Sequence, residues 1–141
     1  MTPFLQSPGV SVNDFEEHYI PRWDIIELLQ AQFDWQTATF GPATSDSVLG
    51  VIDHLEEEIE EVKKEPKDLE EWIDIIILAT GGANRAGYSP QEIMEMWVYK
   101  NAKNKARKWP PLSEQTKGKK VNAIKEQEVK EDIDYWFNER H

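Results

Sequence analysis

Two pairs of carboxylates have the spacing that most directly suggests chemistry, Glu58-x-x-Glu61 and Glu71-x-x-Asp74. Residues three apart on a helix are neighbours on one face, so each pair can present two oxygen donors side by side. Asp74 lies within Trp72-Ile-Asp-Ile-Ile-Ile-Leu78, among apolar neighbours. A carboxylate sheltered there is costly unless it is protonated, paired or bound to a cation. Glu71 has a competing use, since Asp68-x-x-Glu71 also reads as a capping box. A Glu-rich helix can equally be a solvated acidic face, the ordinary use of Glu56, Glu57 and Glu60. Four hard oxygen donors converging in a partly dry cleft suit Mg²⁺ or Mn²⁺, which relieves their mutual repulsion. A di-iron centre fits less well, because it needs Glu-x-x-His pairs and none of His18, His54 or His141 has Glu three residues before it.

The elements that must position these groups are all helical, and no convincing alternating strand pattern occurs. A short helix is expected over Asn13–Tyr19, ended before Pro21, and a second over about Arg22–Thr37 with Trp23, Ile26, Leu29 and Phe33 in register. A loop follows, in which Ser45 or Ser47 can cap the next helix, Val48–Glu65. That helix has Val48, Ile52, Leu55, Ile59 and Val62 on one stripe; at 100° per residue Glu58 falls at its edge, with His54 and Glu61 just beyond. Pro66 ends it, and a helix over Asp68–Gly81 leaves almost no polar face, the pattern of a central, buried helix. Ser89-Pro-Gln-Glu92 reads as a capping box with Pro at the first helical position, opening a helix to Lys108 that stops at Pro110-Pro111. On it Lys100, Lys103, Asn104 and Arg107 share a face that is either solvated or able to hold the outer oxygens of a triphosphate. Leu112–Lys120 looks like a basic linker, and Ile124–Phe137 like a tail helix. The expected fold is an all-α antiparallel helical bundle of four to six helices, with a domain over residues 1–111 and a linker and tail over 112–141.

Composition narrows the class. The 141 residues carry 27 acids against 16 bases, a net charge of −11 that argues against a nucleic-acid partner. The charge is divided along the chain: eleven acids against three lysines from Asp53 to Asp74, nine bases against Glu114 from Val98 to Lys125. The absence of cysteine excludes disulfides, thiolate metal sites and a cysteine nucleophile. No apolar run approaches the roughly 18 residues that span a bilayer, and the first residues lack a secretory pattern, so a cytoplasmic location is expected.

From about Phe33 to Trp109 the chain resembles the MazG-like all-α nucleoside triphosphate pyrophosphohydrolases, nearest to their phage-associated dATP/dGTP diphosphohydrolase branch. The resemblance is carried by Thr39-Phe-Gly-Pro42, Gly50-Val-Ile-Asp-His-Leu55, Glu58-x-x-Glu61, Asp68-Leu-Glu-Glu-Trp-Ile-Asp74, Arg85-Ala-Gly87 and Lys103-Asn-x-x-Arg-x-Trp109. It implies metal ligands at Glu58, Glu61, Glu71 and Asp74, with Glu58 or Glu61 orienting the attacking water. It also implies phosphate and nucleotide contacts at Lys100, Lys103, Asn104 and Arg107. His54 is then either a hydrogen-bonded helix residue or a contact behind the ligands, on the substrate side. The implied cofactor is Mg²⁺ (or Mn²⁺), the implied substrate dGTP or dATP cleaved to monophosphate and pyrophosphate, and the implied assembly a homodimer or homotetramer. The MazZ type is a guanine-directed special case. Thr80-Gly-Gly-Ala-Asn84 departs from the Leu-Asp-Gly-Ala-Trp of that branch, which bears on substrate choice. Trp35 and Phe40 are candidates for stacking on the base, although core packing is the commoner use of such aromatics. Two rival readings stay open: a pyrimidine (dUTP or dCTP) hydrolase of related architecture, and a non-catalytic acidic DNA mimic.

Overall fold

A computed structural model describes residues 24–125; the expected first helix and all but the start of the expected tail helix lie outside them. Four α-helices and one short 3₁₀ turn make up the described residues, with no strand among them. The chain divides into two compact units, Met1–Arg85 and Ala86–His141.

The first unit holds α1 (Ile25–Phe40), α2 (Ser47–Lys64) and α3 (Leu69–Arg85). Asp24 starts α1 by accepting the Glu27 N–H at 3.0 Å, and Gly41 ends it at φ 86, with its N–H on the Thr37 carbonyl. Glycine takes that left-handed conformation without the penalty of a Cβ. Leu29 and Phe33, four apart on α1, form the buried core with Val62 of α2. Neither expected serine caps α2: Asp46 occupies the cap without a side-chain bond, while Ser47 accepts the Thr44 N–H at 2.7 Å.

Helices α2 and α3 form an antiparallel hairpin across a turn at Pro66. Val51 lies against Gly82, where a Cβ would come within 3.0 Å of its side chain, while Glu58 meets Glu71 and Asp74 farther along. The turn is tied by the Asp68 N–H on the Glu65 carbonyl and by Trp72 Nε1 on the Pro66 carbonyl at 3.0 Å. Helix α3 runs a turn past Gly81 instead of stopping there, because Gly81 and Gly82 are contact points for Gln36 and Val51 and not a helix end. Packing also differs from the sequence expectation of a central, buried helix. Leu69, Trp72, Ile73, Ile76 and Ile77 are exposed, because among the described residues of the first unit α1 and α2 cover only one side of α3.

The second unit holds α4 (Pro90–Ala106) and the 3₁₀ turn Leu112–Glu114. The capping box forms as expected: Ser89 Oγ accepts the Glu92 N–H, and Glu92 Oε1 accepts the Ser89 N–H, both at 3.2 Å. Helix α4 ends two residues before the expected Lys108. Arg107 is already extended at ψ 152, and Trp109 Nε1 folds back onto the Asn104 carbonyl at 2.6 Å.

Candidate active site

Three of the four expected carboxylates converge. Glu58 of α2 and Glu71 and Asp74 of α3 bring one oxygen each within 4.8 Å of one another, all three partly sheltered. The turn makes this possible. Asp68 spends its carboxylate on the Glu70 N–H at 3.0 Å instead of forming a box with Glu71, so the Glu71 side chain is available to the cluster. Glu61 is not in this group. Its side chain is 51% exposed against 16% for Glu58, and Lys64 of the next turn donates to it at 3.4 Å. His54, one turn before Glu58, places Nε2 3.5 Å from Glu58 Oε1, an ion pair when the imidazole is protonated.

The cluster is electrostatically unsatisfied. The Glu71 carboxyl is pushed above the usual carboxylate range, first by desolvation, then by a hydrogen bond to Glu58 and by repulsion from Glu58, Asp74 and Asp68. Glu58 Oε2 is shielded from solvent and has no hydrogen-bond partner among the described residues. Two things can satisfy such a site: a proton shared between Glu71 and Glu58, or a cation held by all three. Hard oxygen donors from residues spaced across two helices, one of them orphaned, fit a divalent ion of the Mg²⁺ class.

A cleft of about 370 Å³ is linked to the cluster by His54, which lines it and contacts Glu58; the three carboxylates themselves are not in its lining. Gln36 and Phe40 of α1, Ser47, Gly50 and Val51 of α2, and Leu78, Gly81 and Arg85 of α3 complete its lining. Arg85 fastens the end of α1 to α3, donating from Nη1 to the Gly41 carbonyl at 2.7 Å and from Nη2 to the Gln36 carbonyl at 3.4 Å. The residue order gave Gly81 only as a helix end within a segment bearing on substrate choice, Arg85 only as part of the family resemblance, and Gln36 no role. The available signal was the Gly81-Gly82 pair inside a helix, which marks close approach of a neighbour. Trp35 and Phe40 are not core residues: both are mostly exposed, packed edge to face with centroids 5.6 Å apart, and only Phe40 borders the cleft.

The four basic-helix candidates all belong to the second unit. Lys100, Lys103 and Asn104 lie on α4, and Arg107, just past its end, reaches back to Asn104 Oδ1 from Nη1 at 3.3 Å.

An all-α chain whose helical hairpin gathers carboxylates and lines a nucleotide-sized cleft has the features of a MazG-like nucleoside triphosphate pyrophosphohydrolase. Residues 28–131 match the dATP/dGTP pyrophosphohydrolase family, and the chain belongs to that family. It is therefore a hydrolase acting on nucleoside triphosphates. No curated protein and no solved structure matches it. No helix among the described residues is long and apolar enough to cross a membrane.

Proposed function

We propose that the chain hydrolyses dGTP or dATP to the monophosphate and pyrophosphate at the Glu58–Glu71–Asp74 cluster, using Mg²⁺ or Mn²⁺. The observation that carries the reading is the orphaned, shielded Glu58 oxygen within a three-carboxylate cluster, in a chain of this family. Glu58, Glu71 and Asp74 would hold the cation. Glu61 would join them as a fourth ligand only by giving up its exposed contact with Lys64. When bound, the ion lowers the pKa of water and neutralises charge on the phosphoryl group.

The chain's own groups do the rest. Glu58 or Glu61 accepts the proton of the attacking water and so aims its lone pair at phosphorus. His54 steadies Glu58 through their contact. Lys100, Lys103, Asn104 and Arg107 are assigned to the phosphate oxygens by the family resemblance alone, Arg107 with a guanidinium suited to bidentate contact.

The assembly is a homodimer or homotetramer. The buried hydrophobic core among the described residues is Leu29, Phe33 and Val62, whereas Trp72, Ile73, Ile76 and Ile77 of α3 and Ile52 and Ile59 of α2 are exposed. An apolar face of that extent calls for cover by another surface, here a second copy.

Incubation with each dNTP and Mg²⁺, resolving pyrophosphate from phosphate, tests the reading. Pyrophosphate release from the purine nucleotides, lost with EDTA and in Asp74→Asn, is expected. Release of single phosphates, or full activity of Asp74→Asn, overturns it. A preference for dUTP or dCTP would move the substrate to the pyrimidines.

A further inference from the structure

We propose that Gln36 reads the nucleobase, which lies in the cleft between α1, α2 and α3; this rests on the nucleoside triphosphate reading above. The cleft's volume of about 370 Å³ falls within the range of small-molecule sites. His54 lines the cleft and contacts Glu58, so a ligand at that side would extend toward the carboxylate cluster. Gly81 and Asp74 are seven residues apart on α3, about 10 Å along a helix, comparable to the span of a nucleoside from base edge to phosphates. Phe40, Val51 and Leu78 give the cleft apolar walls, and Gly50 leaves open space where a side chain would stand. Such a slot suits a planar ring.

Gln36 is the polar group with capacity to spare. Its carbonyl is held by Arg85, but its side-chain amide, half-buried at the cleft, makes no hydrogen bond among the described residues. The amide occupies this position because residue 81 is glycine. A Cβ there would stand 3.0 Å from Gln36 Oε1 and 3.1 Å from Nε2. A sheltered amide offers an acceptor beside a donor. In one orientation it matches adenine, whose N6 amino donor adjoins a ring-nitrogen acceptor. Turned over, it matches guanine, whose O6 acceptor adjoins the N1–H donor. A reader that turns over therefore admits both purines.

A carboxylate at the same place only accepts. It matches the adjacent N1–H and N2 amino donors of guanine, whereas adenine sets a ring-nitrogen acceptor against one of its oxygens. The test compares wild type, Gln36→Glu and Gly81→Ala for kcat and KM on dGTP and dATP, and for calorimetric binding of dGMP and dAMP. Gln36→Glu is expected to raise the guanine-to-adenine ratio about tenfold or more, in kcat/KM and in binding. Gly81→Ala keeps a good helix former in α3 while its methyl displaces the amide, so KM should rise for both substrates with the melting temperature not lowered. Guanine-to-adenine ratios for Gln36→Glu within roughly twofold of wild type overturn the assignment, given the discrimination a bidentate pair supplies. Absence of hydrolysis by the wild type defeats the enzymatic reading instead, and the dGMP-to-dAMP binding ratio still decides Gln36.

Discussion

At the scale of single residues, the cluster's sharpest property is the mutual repulsion of its carboxylates. Glu71 titrates above its ordinary value because desolvation and then Glu58 oppose its charge. The metal-free folded chain thus binds a proton that the unfolded chain has already released. Stability of the metal-free protein should therefore fall as pH rises from the ordinary carboxylate pKa through the raised one, and stay lowered above it. Thermal melts in EDTA across that window check this, and added Mg²⁺ should restore stability at neutral pH. Glu71→Gln removes the titration, so the EDTA melts should flatten while activity drops by more than the ~10–100-fold typical of losing an outer-shell partner. A variant that keeps both the wild-type pH slope and its activity would show that Glu71 is not part of the cluster. Glu61 poses a different question. If it swings in to bind the cation, Lys64→Ala should leave affinity equal or improved, since an exposed pair of this kind contributes little.

At the scale of elements, the carboxylates meet because α2 and α3 approach closely at one end and turn tightly at the other. Gly82 allows the approach: an alanine methyl there meets Val51 at 3.0 Å. Overpacking of this sort typically costs about 1–3 kcal/mol, partly offset in Gly82→Ala by the better helix propensity of alanine. A net loss of stability by urea denaturation, recovered in part when Val51→Ala is added, is expected. Ser89→Ala, which removes a working cap on α4, should cost about 1 kcal/mol by the same measurement.

The elements also show which parts of the site could be read from residue order. Pro66, the Ser89 box and the apolar stripes fixed the helices to within a few residues, and Asp74 among isoleucines was a reliable sign of a sheltered carboxylate. Glu61 was not separable from Glu58, because angular position on a helix does not say whether Lys64 will claim a side chain at the stripe's edge. The cleft was illegible for a stronger reason. It depends on α1 and α2 both lying close against α3, long-range contacts whose trace in the sequence is Gly81 (facing Gln36) and Gly82 (facing Val51) inside a helix.

At the scale of the whole molecule, the described residues leave much of the apolar surface of α3 uncovered. In a protein carrying a net charge of −11, an apolar stripe along Leu69, Trp72, Ile73 and Ile76 is not explained by a shortage of polar residues. The same helix supplies Glu71 and Asp74, so whatever covers the stripe also holds two of the carboxylates in register. Association should therefore be linked to the site. Ile76→Glu puts a charge into the contact without touching a proposed ligand. It should shift the sedimentation behaviour of the full chain from the proposed dimer or tetramer to monomer and weaken the proposed Mg²⁺-dependent activity in parallel. Because the loss comes from mass action, raising the protein concentration should recover both together. A variant that becomes monomeric yet keeps wild-type activity per chain would mean that each hairpin holds its carboxylates unaided, and that the apolar stripe serves something other than the reaction.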